Sequence, residues 1–176
     1  ASMSPYEIVY PGGSVEHWNE VAGSVWMEKL TKGTLVDLAA PAELWLDGGH
    51  NPAAGLALAN TLRTQPARPT HLICGMLKTK DVGGYLRHLA GVADSLTAVS
   101  IPGEAATLTA AETAGEAKKV GLAAQVADTV QDAIAAIKNQ TPNARILTRG
   151  SGSSATSGWA LATFTKMSQT CLTSEP

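Results

Sequence analysis

Leu46-Asp47-Gly48-Gly49-His50-Asn51-Pro52 is the stretch that decides how this chain folds. Glu43-Leu44-Trp45-Leu46-Asp47 ahead of it is a short apolar run that ends in a carboxylate, and Ala53–Leu62 behind it is rich in Ala and Leu at helical spacing. Two glycines make the turn between them. Pro52 suits a first helical turn, where its missing N–H would have found no partner anyway. The stretch therefore reads as a strand, a tight turn and a helix start.

Similar units follow. Thr70–Met76 is a short, almost wholly apolar strand, Val82–Ala90 a helix and Ser95–Ile101 a third strand. Thr109–Val120 is a helix with Thr109 as N-cap and Glu112 placed for a capping box. Gln125–Ala127 fits a short strand, Asp128 an N-cap for a helix running to Lys138, Ala144–Thr148 a last strand, and Ala155–Met167 a last helix. Upstream, Tyr6–Tyr10 fits a short strand or a loop and Val15–Ala22 a helix. Leu35–Leu38 and Glu43–Asp47, around Pro41, fit a hairpin or two adjacent strands. Continuous apolar strands alternating with helices predict an α/β fold of three layers, Rossmann-like, with a mostly parallel sheet and helices on both faces. Ligands of such sheets bind beyond the strand carboxyl ends, so the loops after Leu46, Met76, Ile101 and Thr148 should share one rim.

The composition fits one ordinary domain of 176 residues, with 44% hydrophobic and 16% charged residues and a formal net charge of -2. Scattered Lys and Arg at that charge argue against a nucleic-acid or anionic-membrane partner. No apolar run reaches the roughly 20 residues of a membrane span and no secretory signal is visible, so the expected location is cytoplasmic. Cys74 lies in an apolar run and reads as a core thiol, Cys171 in a polar tail, and no cysteine or histidine spacing suggests a metal. Three segments are expected: residues 1–25 as an N-terminal appendage, 26–168 as the domain, and 169–176 as a tail. Ala1-Ser2 ahead of Met3 resembles a cloning remnant, which would make Met3 the natural start.

The Asp47–Pro52 niche has two readings. In one it holds a nucleotide: the glycines admit a ligand to the backbone, the helix start favours phosphate, Asp47 accepts from ribose hydroxyls and His50 donates to a phosphate. In the other, which spacing alone favours, it is a strand-to-helix turn with Asp47 and Asn51 capping backbone groups.

Asp-Gly-Gly-His-Asn-Pro-Ala-Ala-Gly at 47–55 resembles the C-terminal-domain signature of the folylpolyglutamate/dihydrofolate synthases, relatives of the Mur ligases. Gly75-Met76-Leu77-Lys78-Thr79-Lys80-Asp81-Val82 is similar to that family's Gly-Met-Leu-x-x-Lys-Asp segment, and Trp26–Leu38, Ile101-Pro102-Gly103 and Arg145–Ser151 follow in order over roughly 26–165. The resemblance implies the C-terminal domain of an ATP-dependent, amide-forming ligase in folate biosynthesis and one-carbon metabolism. In such enzymes a carboxylate is phosphorylated and a glutamate amine attacks the acyl phosphate. ATP and Mg²⁺ are the implied cofactors, and glutamate and folate the implied small-molecule partners. By position, Lys29, Asp47, His50 and Asn51 would meet the nucleotide, with Asp47 and His50 nearest the chemistry.

The departures matter as much. The family's Trp-Pro-x-Arg is Trp26-Met27-Glu28-Lys29 here, which keeps the charge of a phosphate-contacting arginine and loses its planar fork. Gly150-Ser151-Gly152-Ser153 replaces Gly-Ser-Leu-Tyr, and no P-loop motif occurs. The implied partner is an N-terminal P-loop domain carrying the metal and phosphate clamps, without which ligation is not expected. A rival is a stand-alone hydrolase, either an esterase using a serine (Ser151, Ser153, Ser154 or Ser157) with His50, or a glycosidase pairing carboxylates from Asp47, Asp81 and Glu104. A second rival is a non-catalytic homo-oligomer assembled over an apolar face.

Overall fold

The computed structural model describes residues 6–9, 27–30 and 34–149. They form seven strands and five helices: β1 (Tyr6–Val9), β2 (Met27–Leu30), α1 (Thr34–Ala39), β3 (Glu43–Asp47), α2 (Pro52–Thr64), β4 (Thr70–Cys74), α3 (Val82–Leu86), β5 (Ser95–Ala98), α4 (Ala110–Lys119), β6 (Ala124–Val126), α5 (Val130–Gln140) and β7 (Arg145–Arg149). The expected helices over 15–22 and 155–167 lie outside the described residues.

One sheet runs β1-β2-β3-β7-β4-β5-β6. Strands β3, β7, β4, β5 and β6 are mutually parallel, and β2 and β1 add antiparallel at one edge. The expected mostly parallel, three-layer α/β architecture is what forms. Side chains alternate in direction along each strand, so the central strands feed two cores. Trp45, Leu72, Cys74, Leu96 and Leu147 pack with Leu58, Leu62, Tyr85 and Leu86 of α2 and α3 and with Ala114 and Ala117 of α4. Leu44, Leu46, Ile73 and Ile146 pack on the opposite face with Leu35 and Ala39 of α1 and with Ile134 and Ile137 of α5.

Helix starts follow the local chemistry. Asn51 Oδ1 accepts from Ala54 N–H at 2.8 Å ahead of α2, and Asp81 Oδ1 accepts from Gly84 N–H at 2.8 Å ahead of α3. Thr109 and Glu112 complete a reciprocal capping box at α4. The cap of α5 differs from expectation: Thr129, not Asp128, accepts from Asp132 N–H at 3.0 Å, and the helix runs to Gln140. Val82–Ala90 is also shorter as a helix than expected, ending at Leu86 and continuing as turns.

Leu35–Leu38 is helical rather than a strand, and the antiparallel neighbour of β3 is β2. Leu35 and Ala39, four residues apart, are both buried against α5, and Lys138 Nζ donates to the Leu38 carbonyl at 2.9 Å, a cation on the last turn of α1. Tertiary packing thus overrides the apolar run's resemblance to a strand.

Candidate functional site

The parallel strands end in register. Asp47 is paired with Arg149, Arg149 with Cys74, and Cys74 with Ala98. Asp47 lies two residues beyond Trp45, Arg149 two beyond Leu147 and Cys74 two beyond Leu72, so all three point into the α2–α3 layer. Tyr85 descends from α3 onto this row. Its hydroxyl donates to Asp47 Oδ2 at 2.7 Å, and the Arg149 guanidinium lies 4.5 Å from its ring centroid. Arg149 also donates through Nε to the Gly49 carbonyl, through Nη1 to the Gly75 carbonyl at 3.3 Å, and contacts Met76 Sδ at 2.6 Å. One guanidinium therefore braces the loops after β3 and β4.

These groups are deeply internal: Asp47 is 1%, Arg149 3% and Tyr85 1% exposed. Burial pushes the Asp47 carboxyl above its usual range, and the Arg149 charge and the Tyr85 hydroxyl only partly oppose it. Burial, reinforced by the Asp47 charge, pushes the Tyr85 phenol well up. Burial works against the charge on Arg149, but the Tyr85, Cys74 and Asp47 groups around it more than offset that. Among the described residues, Asp47 Oδ1 and Arg149 Nη2 have no hydrogen-bond partner.

Above this floor lies the glycine turn. A Cβ on Gly49 would meet Ala54 Cβ at 2.9 Å and Asp47 Oδ2 at 3.2 Å, so only glycine lets the loop lie this close to the aspartate. His50 is exposed on the turn, with Nδ1 3.5 Å from the Gly48 carbonyl. In the first turn of α2, Pro52 has no N–H, Ala54 is capped by Asn51 Oδ1, and Gly55 N–H donates to the Asn51 carbonyl at 3.0 Å. Ala53 N–H is the first-turn donor left without an intrahelical acceptor. The arrangement suits an oxyanion resting on a helix N-terminus beside an imidazole.

His50 and Asn51 are exposed on the rim at the carboxyl end of β3, and Asp47 is buried beneath it. An acceptor for ribose hydroxyls needs an exposed carboxylate, and Asp47 is an internal brace whose Oδ2 is held by Tyr85. Lys29 is not brought to the rim. It pairs with Trp45 across the sheet, reaches Glu43 Oε1 at 3.5 Å, and lies 5.9 Å from the Trp45 ring centroid, toward the opposite end of β3. Its antiparallel strand carries the side chain away from Asp47. Arg149 and Tyr85 are site residues that sequence reading does not single out. The available signal was Arg149 itself, a cation closing an apolar strand on the same face as Leu147.

Asp81 and Glu104, the other carboxylates of the glycosidase reading, accept from the N–H groups of Gly84 and Ala106. The serines of the esterase reading lie outside the described residues. Among the described residues no group of three or more His, Cys, Asp or Glu side chains could hold a metal ion. No helix among them is long and apolar enough to cross a membrane.

Fold and rim together define an α/β domain: an open parallel sheet, antiparallel at one edge, with a glycine turn and helix start over a buried Asp–Tyr–Arg floor. The family model for the Mur ligase, glutamate ligase domain matches residues 34–152, and the chain belongs to that family. Among solved structures it is similar to Mycobacterium tuberculosis folylpolyglutamate synthase complexed with ADP, at 28% identity and a TM-score of 0.60, covering 77% of this chain and 33% of that one. It is also similar to E. coli FolC in complex with ADP (22% identity, TM-score 0.59, 72% and 30% covered). A third is the bifunctional folylpolyglutamate synthase/dihydrofolate synthase from Yersinia pestis complexed with AMPPNP and Mn ion (24% identity, TM-score 0.52, 69% and 28% covered). The latter two share the fold. This chain spans about a third of the length of each. No curated protein matches it.

Proposed function

We propose that this chain is the nucleotide- and glutamate-side domain of an ATP-dependent, amide-forming ligase that extends folates with glutamate, working with a P-loop domain that supplies the remaining phosphate and metal contacts. The observation that carries the reading is the exposed His50 beside the N-terminus of α2, on a loop held by Arg149. The family's glutamate ligase domain and the ADP bound by the Mycobacterium tuberculosis relative point the same way.

In this reading His50 and the first turn of α2 receive phosphate oxygens. Asp47, Tyr85 and Arg149 touch no substrate; they fix the height and tilt of the glycine turn, so that its backbone donors need not reorganise when charge develops. ATP, when bound, supplies the phosphoryl group that activates a carboxylate. The residues present fit a nucleotide's phosphates through Ala53 N–H and His50, and they supply half of a clamp.

Isothermal titration of the chain with ADP in Mg²⁺ tests this. The expected result is weak binding, on the order of millimolar, that weakens further in His50→Ala. No binding at millimolar ADP, or equal binding by His50→Ala, would remove the rim from the nucleotide site.

A further inference from the structure

The amino ends of the parallel strands carry a second cluster that the nucleotide rim does not use. A cavity of about 290 Å³ opens where β4 and β7 begin, lined by Leu62 and Arg63 of α2, Arg68 of the following loop, Thr70, Val92 and Arg145. From its far side Glu43 gathers the cations: Lys29 Nζ and Arg68 Nη1 each lie 3.5 Å from Oε1, and Arg145 Nε lies 3.9 Å from Oε2. Trp45 Nε1 already donates to Oε2 at 3.1 Å. Asp94 is the other nearby carboxylate, and its Oδ2 accepts the Thr70 N–H at 2.8 Å. Among the described residues the pocket lining thus carries the three cations Arg63, Arg68 and Arg145 and no carboxylate, and Glu43 pairs with Arg68 and Arg145 from the far side.

Arg145 shows the imbalance. It is 3% exposed, its Nη1 and Nη2 donate to Thr70 Oγ1 at 3.4 Å and to the Pro66 carbonyl at 3.0 Å, and among the described residues its Nε has no acceptor within hydrogen-bond distance. Burial holds the guanidinium below its ordinary range and the Arg68 charge adds to that, against the pull of Glu43. Arg63 is exposed at the mouth, where Nη1 donates to Asn60 Oδ1 at 2.8 Å, and Arg68 is half-buried. Planar guanidinia carry fixed forks that match carboxylate and phosphate oxygens. Leu62 and Val92 give the pocket an apolar wall, so its occupant has a small carbon body as well as charge.

We propose that this pocket at the amino ends of β4 and β7 is an anion-binding site for a small organic oxyanion, a phosphate monoester or a dicarboxylate, gripped by Arg63 and Arg68 over a floor formed by Arg145. It lies at the opposite ends of the strands from His50, so its occupancy is independent of the nucleotide reading. The ligand oxygens supply the negative charge that Glu43 and Asp94 leave short.

Side-chain NMR of the ¹⁵N-labelled chain tests it directly. The Arg Nε–H resonances are followed during titration with glycerol 3-phosphate and, separately, with succinate, at ionic strength held constant with sodium chloride. The Arg145 and Arg68 signals are expected to shift saturably with at least one of them. Arg63→Gln or Arg68→Gln, each confirmed folded by circular dichroism, should weaken binding about tenfold, the loss of one charge-assisted hydrogen bond. Excess ADP and His50→Ala should leave it unchanged. Saturation by one ligand alone assigns the site to that class. Flat signals to roughly tens of millimolar of both ligands, or undiminished binding by the Arg63→Gln/Arg68→Gln double variant, overturn the proposal.

Discussion

Tyr85 lies 38 residues from Asp47 in sequence and donates its hydroxyl to Asp47 Oδ2 at 2.7 Å. That bond joins helix α3 to the end of strand β3 beneath the glycine turn. It also determines what Asp47 can do: with Oδ2 held and 1% of the residue exposed, the carboxyl supports the rim from below.

Tyr85→Phe isolates the hydroxyl. The ring remains for Arg149, whose guanidinium lies 4.5 Å from its centroid, while Asp47 Oδ2 loses its donor. Stripping a buried acceptor of its partner should cost about 1–3 kcal/mol, read as a lower midpoint in urea denaturation with an unchanged slope. A midpoint equal to wild type would show that another donor serves Asp47.

Asp47 also predicts an inverted pH dependence. Burial raises its carboxyl above the ordinary 3.8, so the folded chain holds that proton more tightly than the unfolded one. In the interval between the unfolded and folded values the native state carries more protons, and stability attributable to this group falls as pH rises. The unfolding free energy of wild type minus that of Asp47→Asn should therefore decline from about the ordinary value upward and level off above the folded one. A difference that stays flat, or rises, would mean the carboxyl is not raised.

Gly55 is where α2 crosses α3. A Cβ there would run into the Tyr85 backbone carbonyl, and backbone cannot swing aside as a side chain can. Gly55→Ala should raise helix propensity and still destabilise the chain by about 1–3 kcal/mol through overpacking. Thermal unfolding of the two proteins side by side decides between the local and the tertiary term. Greater stability in the alanine variant would mean the helices separate freely.

Lys29→Ala distinguishes the observed placement from the one expected by resemblance. Because Lys29 pairs with Glu43, away from the glycine turn, the substitution should leave ADP affinity as it is in wild type, whereas His50→Ala weakens it. A loss for Lys29→Ala matching that of His50→Ala would bring Lys29 back to the phosphates.

The alternation of apolar strands with helices, the Asn51 and Thr109 caps and the glycine turn were all legible in sequence, because each depends on residues within a few positions of one another. The same local reading failed at Leu35–Leu38. Four residues with apolar character at both strand and helix positions cannot declare their period alone, and contact with α5 settles it. It also gave the α5 cap to Asp128, when Thr129 next to it holds the Asp132 N–H.

The sequence by itself determined a three-layer α/β domain with a polar turn at a strand end, since periodicity and turn chemistry are short-range properties. Only the tertiary structure decided that β7 lies between β3 and β4, and with it that Arg149 stands in register with both Asp47 and Cys74. The burial of Asp47, the reach of Tyr85 and the turning of Lys29 toward Glu43 follow from that strand order and from the antiparallel pairing of β2 with β3. Which groups meet is fixed by register between segments far apart in the chain, as between Arg149 and Asp47 or Arg145 and Glu43, and no local pattern carries that information.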